Sequence, residues 1–115
     1  LCTENKTLCF PASADSIPTS LGQEDHVSMG SISGRKFNQV LDNVERILAI
    51  ELMYACQGLE FRRPRKTSAF LEEVFAKVRS ICPKLEEDRL IGDDINNIID
   101  LLQTDDFKKL ILKQL

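Results

Sequence analysis

The amino-acid sequence predicts an all-α fold: a long central helix of a helical bundle, shorter C-terminal helices, and an extended loop before the long helix. Three observations lead to this prediction. Apolar residues recur at three- and four-residue spacings through the middle of the chain, proline and glycine divide the remainder into short segments, and no stretch alternates polar and apolar residues as a strand does.

Composition excludes several classes of protein. The chain has 115 residues, of which 15 are basic and 18 acidic, with a net charge of −3 and 43% hydrophobic residues. We therefore expect neither a disordered chain nor a basic nucleic-acid-binding protein. No run of about 18 apolar residues is present, so we expect no membrane span.

The cysteines and the single histidine predict no metal site. Cys2, Cys9, Cys56 and Cys82 lack the spacing of a zinc ribbon or a redox motif. A zinc site needs several Cys or His ligands together, and one histidine does not supply them. We interpret the four cysteines as reduced, mostly buried thiols of a cytoplasmic protein.

Residues 1–27 are predicted to form the end of a secondary-structure element followed by a long loop. The stretch from Pro11 to Val27 is rich in Ser, Ala, Pro and Thr and has no period of 2 or 3.6. Long loops within compact domains are uncommon and tend to be functional. We therefore expect the chemistry of the chain to lie here.

A helix is predicted over residues 28–61, ending before Pro64, which cannot continue the hydrogen-bond ladder. From Ile47 to Cys56 the segment is apolar nearly all round, which predicts burial on every side. Glu51 is the exception, so we expect it to pair with a cation of a partner or to join a buried network. The apolar stripe consists of Phe37, Val40, Leu41, Val44, Ile47, Leu48, Leu52, Ala55 and Leu59.

Residues 67–115 are predicted to form short helices. Thr67 and Ser68 are good N-cap residues for the first, and Pro83 ends it. Asp93 is predicted to cap the next helix, and Thr104 to open the last. The predicted long helix would be about 50 Å long, and three short helices can cover one side of it but hardly all of it. The long helix should therefore belong to a bundle built from more chain or from other copies.

The candidate chemistry lies at the junction between loop and helix, in residues 20–30, where Glu24, Asp25 and the single histidine, His26, stand together. One interpretation is structural: Asp25 or Ser28 caps the long helix, and His26 makes a local hydrogen bond. The other is that one carboxylate is a general acid or base. Adjacent residues point in different directions, so Glu24 and Asp25 are not expected to form a coupled pair.

A basic run at residues 62–66 is a weaker signal. It could contact phosphates, but positive charge after a helix C-terminus is ordinary and the chain as a whole is acidic. We therefore expect no nucleic-acid partner.

Several stretches closely resemble the histidine ammonia-lyase branch of the aromatic amino acid lyases. The most specific are residues 11–20 and Gln23-Glu24-Asp25-His26-Val27-Ser28-Met29-Gly30. The resemblance continues through residues 42–44, 47–52, 55–64 and 66–68. It covers nearly all of this chain but only the C-terminal part of the family's longer chain.

The resemblance implies an all-α homotetramer that eliminates ammonia from L-histidine to give urocanate. The family's electrophile is a methylidene-imidazolone ring formed from an internal Ala-Ser-Gly, which this sequence lacks. Ile32-Ser33-Gly34 is the nearest string, and it falls within the predicted long helix. The resemblance therefore implies that the 115 residues alone are inactive.

The resemblance also implies roles for individual residues. Glu24 matches the family's active-site glutamate and is the expected catalytic residue, with Gln23 as a substrate-binding residue. Asp25 and His26 are expected to give structural support. The related phenylalanine lyases have an amide in place of this glutamate, which favours the histidine branch. Two alternatives stay open: a phenylalanine or tyrosine ammonia-lyase or aminomutase, and a non-catalytic helical assembly module.

Overall fold

The computed structural model describes residues 1–14, 17–25 and 29–114. Helices dominate this part of the chain, which confirms the predicted all-α class. The helices are α1 (Cys2–Leu8), α2 (Gly30–Glu60), α3 (Ala69–Arg79), α4 (Gly92–Gln103) and α5 (Asp105–Leu112). The segment before α2 holds a two-stranded ribbon of β1 (Pro18–Thr19) and β2 (Glu24–Asp25), which sequence periodicity did not predict.

The long helix predicted from the apolar stripe is present as α2. It runs without interruption for 31 residues, or about 46 Å at 1.5 Å per residue. Met29 lies just outside it and accepts the Ser33 N–H at 2.9 Å, so α2 begins at Gly30; residue 28 is outside the described residues. The helix ends in turns that precede a cis Arg63–Pro64 peptide.

The chain forms two compact units. The first spans Leu1–Val44 and joins α1 to the first half of α2. Asn43 is buried there, and its amide donates to Glu4 Oε2 at 3.0 Å and to Asn5 Oδ1 at 2.8 Å. Burial of this amide is tolerated because its donors are satisfied.

The second unit begins at Glu45 and contains the apolar core. Its centre joins α2 to α3 and α4, and a neighbouring cluster adds α5. The central residues are Ala49, Cys56, Val78, Cys82 and Ile98. The neighbouring cluster consists of Val74, Phe107 and Leu110.

Two of the predicted helix starts are confirmed and one is wrong. The Ser68 hydroxyl accepts the Leu71 N–H, and the Thr104 hydroxyl accepts the Phe107 N–H, each at 3.3 Å. Asp93 is not the cap of α4 but lies in its first turn, after Ile91 as the N-cap residue. No side chain caps α4. Arg89 pairs with Asp94 in the same first turn, donating to its Oδ2 at 2.8 Å.

Residues 47–56, predicted to be buried on every side only within a larger bundle, are covered on one side in this chain, as expected of three short helices. Ala49 and Cys56 face the core, but Leu48 is 49% exposed and Tyr54 is 66% exposed. Glu51 is exposed as well, so its charge faces solvent rather than a buried network. The reason is that α3, α4 and α5 cover one side of this half of α2. In the part of the chain described, no helix combines the length and the apolarity needed to cross a membrane.

Candidate functional site

The candidate residues lie on the ribbon of β1 and β2. The strands are antiparallel, with Pro18 opposite Asp25 and Thr19 opposite Glu24. The Thr19 hydroxyl adds a 3.2 Å hydrogen bond to the Glu24 carbonyl oxygen. The ribbon therefore holds the backbone of Glu24 in a defined position.

A tight turn joins the two strands. Ser20, Leu21 and Gly22 have φ angles of 51°, 56° and 86°, all in the left-handed region. Glycine adopts this conformation at little cost, whereas each non-glycine residue there costs about 1–2 kcal/mol. The Gln23 N–H closes the turn by donating to the Ser20 carbonyl oxygen at 3.2 Å.

The Glu24 side chain is exposed and lies beside the Ser20 hydroxyl. Ser20 Oγ donates to Glu24 Oε2 at 3.4 Å. An exposed carboxylate can accept a proton from a bound molecule or pair with a cationic group. Glu24 therefore has the accessibility that proton transfer requires.

The neighbouring candidates occupy different positions. Gln23 and Asp25 flank Glu24 in the sequence and are exposed, and successive residues of a strand face opposite sides. Asp25 lies in β2, five residues before α2 begins, so it is not the cap of that helix. His26 and Ser28 lie outside the described residues.

Ser20 lay within the predicted candidate stretch, but sequence reasoning assigned it no role. The signal was present, since Ser20 precedes Glu24 by four residues with Gly22 between them, a spacing compatible with a hairpin. The short strands have no apolar alternation, because most of their residues are exposed.

The buried thiols form a second chemical feature, but they are poor nucleophiles. Burial raises the pKa of Cys56 and of Cys82, and nearby Arg79 only partly opposes the shift. A cavity of about 70 Å³ lies beside Cys82. The charged groups of this cavity form ion pairs within the fold: Arg79 pairs with Glu60 at 2.9 Å, and Arg89 pairs with Asp94.

The four cysteines differ in exposure more than expected. All are free thiols, but Cys2 and Cys9 are exposed, so only half match the prediction of buried thiols. Within residues 1–14, 17–25 and 29–114, no group of three or more His, Cys, Asp or Glu residues could hold a metal ion.

The residues of the basic run at 62–66 differ in their contacts. Arg63 turns toward α3 and pairs with Glu72 at 2.9 Å. Arg62, Arg65 and Lys66 are exposed around an open depression of about 460 Å³. The run therefore contributes to the fold as well as to the surface.

The model of the family described as aromatic amino acid lyase matches residues 1–80. The chain belongs to the aromatic amino acid lyase family. The matched region contains the whole ribbon and all of α2.

Among the aromatic amino acid lyases, the curated relatives include several histidine ammonia-lyases. The Caenorhabditis elegans protein is 44% identical over 115 residues, which is all of this chain and 17% of that protein. The Sorangium cellulosum protein is 52% identical over 104 residues, covering 90% of this chain and 20% of that protein. The chain thus spans about a fifth of the length of these lyases.

A solved lyase structure matches the fold. The crystal structure of histidine ammonia-lyase from Trypanosoma cruzi superposes with a TM-score of 0.89 and 52% sequence identity. The match covers 96% of this chain and 22% of that chain. The likeness therefore extends to nearly the whole of this segment.

Proposed function

We propose that this chain is the C-terminal part of a histidine ammonia-lyase and carries Glu24 of its active site. The complete protein would eliminate ammonia from L-histidine to give urocanate. The observation that carries the proposal is the Glu24 carboxylate, which is exposed on a hairpin that holds its backbone. Relatives bearing that enzyme name, at 44% and 52% identity, support the choice of substrate.

Glu24 can serve this reaction in two ways. Elimination removes a weakly acidic proton from the β-carbon, and a carboxylate can accept it as a general base. Histidine also carries an imidazole, which a carboxylate can orient by accepting its N–H or by pairing with its protonated form. A neutral phenyl ring offers neither interaction, so the carboxylate favours histidine over phenylalanine.

This chain does not supply the electrophile implied by the family. A methylidene-imidazolone requires Ala-Ser-Gly, and the nearest string is Ile32-Ser33-Gly34 in α2. The Ser33 N–H donates to Met29 there, so its backbone is held in a helix rather than in a cyclising turn. We therefore expect the 115-residue chain to form no urocanate by itself, as followed by ultraviolet absorbance.

The test uses the full-length protein that contains this segment. We expect Glu24→Gln to reduce turnover of histidine by about 10²–10⁴-fold, the usual contribution of a general acid or base. Melting temperature should change little, because the carboxylate is exposed. A rise in KM would indicate pairing with the imidazole in the bound substrate, whereas a fall in kcat alone would indicate proton transfer.

Asp25→Asn is the matched control, since it removes a neighbouring exposed carboxylate from the other side of the ribbon. It should change turnover far less than Glu24→Gln does, because Asp25 is assigned structural support rather than a part in the reaction. Normal turnover in Glu24→Gln together with loss in Asp25→Asn would contradict the assignment. Turnover of phenylalanine or tyrosine but not histidine would favour the other lyases.

We also propose that the full-length protein is a homotetramer. The support within this segment is the exposed apolar surface of α2 in the second unit, where Leu48 and Tyr54 face solvent. Sedimentation of the full-length protein should give a tetramer mass. A tetramer that never forms urocanate from histidine would instead favour a non-catalytic assembly module.

We place the protein in the cytoplasm. The support is its four free cysteines, two of them exposed, which suit a reducing compartment. Fractionation of cells should recover the full-length protein with cytoplasmic markers, and recovery from an oxidising compartment would contradict this placement.

A further inference from the structure

The turn between β1 and β2 is energetically costly for the residues that it contains. Ser20 and Leu21 both adopt left-handed φ angles, although neither is glycine or asparagine. Leu21 gains no burial in return, because it is fully exposed. Strained backbone of this kind tends to occur at functional sites, where the conformation itself is needed.

The conformation of this turn directs two neighbouring hydroxyls to two parts of one residue. Thr19 Oγ1 donates to the backbone carbonyl of Glu24 at 3.2 Å, whereas Ser20 Oγ donates to its carboxylate at 3.4 Å. The first contact stabilises the ribbon. The second restricts the side chain, since a glutamate otherwise has three freely rotating bonds.

We propose that Ser20 is a positioning residue for the Glu24 carboxylate. This inference rests on the proposed function, because it matters only if Glu24 takes part in the reaction. A hydroxyl can donate to one carboxylate oxygen and leave the other oxygen for the substrate. Holding a reacting group in place lowers the entropy lost in reaching the transition state.

Ser20→Gly in the full-length enzyme separates this role from folding. Glycine accepts the left-handed conformation more readily than serine, so the turn should be kept while the hydroxyl is lost. We expect an unchanged or higher melting temperature and a fall in kcat/KM of about 3–10-fold, which is typical of losing one hydrogen bond. Ser20→Asn should retain part of the lost activity, because asparagine tolerates this conformation and brings an N–H donor.

A double-mutant cycle shows whether the effect passes through the carboxylate. In a Glu24→Ala background, Ser20→Gly should change kcat/KM by less than about twofold, because no carboxylate is left to position. Thr19→Val is the matched control: it removes the other hydroxyl and should lower the melting temperature while reducing kcat/KM by less than about twofold.

Three results would overturn the role of Ser20. One is full activity in Ser20→Gly while Glu24→Ala is impaired. Another is an equal loss from Ser20→Gly and Thr19→Val, and the third is a Ser20→Gly effect that persists in the Glu24→Ala background. If Glu24→Ala itself keeps normal kcat/KM, the proposed function fails, and the inference fails with it.

Discussion

Arg63 donates from Nη1 to Glu72 Oε1 at 2.9 Å and thereby joins the turn after α2 to the first turn of α3. The same carboxylate oxygen accepts the Thr67 N–H at 2.9 Å. Arg63 also lies over the ring of Phe75, 4.4 Å from its centroid. The Glu72 carboxylate therefore links the segment after α2 to α3, and both of these helices contribute to the core.

This contact predicts a pH-dependent contribution to stability. The Arg63 hydrogen bond, together with the one from Thr67, lowers the pKa of Glu72. A carboxyl group whose pKa is lower in the folded state stabilises the fold above its unfolded pKa, and that stabilisation disappears as pH falls through the folded value. We expect Glu72→Gln to lower the melting temperature at pH 7, and the difference from the unaltered chain to shrink below about pH 4.

Glu73→Gln provides the control for Glu72. It makes the same change of charge at the next residue, which is exposed. Its melting temperature at pH 7 should stay close to that of the unaltered chain. An equal drop for both variants would mean that net charge, rather than the contact with Arg63, causes the effect.

Truncation of the central core residue should be costly. Ile98 is fully buried among residues of α2, α3 and α4. Ile98→Ala should reduce the free energy of unfolding by about 2–5 kcal/mol and Ile98→Val by about 0.5–1.5 kcal/mol, since each leaves a cavity. Urea denaturation measures both. Ile111→Ala should cost less because Ile111 is exposed, and an equal cost would show that α5 packs differently.

The thiols should divide into two classes of reactivity. Burial raises the pKa of Cys56 and Cys82 and also shields them, whereas Cys2 and Cys9 are exposed. Brief treatment of the 115-residue chain with a maleimide at pH 7 should label Cys2 and Cys9, as peptide mass spectrometry would show. All four should react in guanidinium chloride. Rapid labelling of Cys56 or Cys82 without denaturant would contradict the burial of these thiols.

Local signals in the sequence predicted the helices well. The apolar stripe predicted α2, and a hydroxyl residue before an apolar run predicted the starts of α3 and α5 at Ser68 and Thr104. These signals succeed because helical spacing and N-caps act over a few residues. The start of α4 was misplaced at Asp93, because this helix has Ile91 as its N-cap residue and no side-chain cap for the sequence to reveal.

The candidate site was predicted in part. The resemblance to the family singled out Glu24, but not the hairpin that holds it or the hydroxyl of Ser20. Two-residue strands are too short to leave a periodic pattern, and their pairing depends on a turn that serine and leucine disfavour.

The sequence by itself determined the helical class, the length of the long helix and the family, because these depend on local periodicity and on strings of specific residues. Only the tertiary structure decided which side of that helix is covered. Ala49 and Leu48 are adjacent and both apolar, yet Ala49 is fully buried and Leu48 is half exposed. Burial depends on what packs against each face, and α3, α4 and α5 reach only one of them.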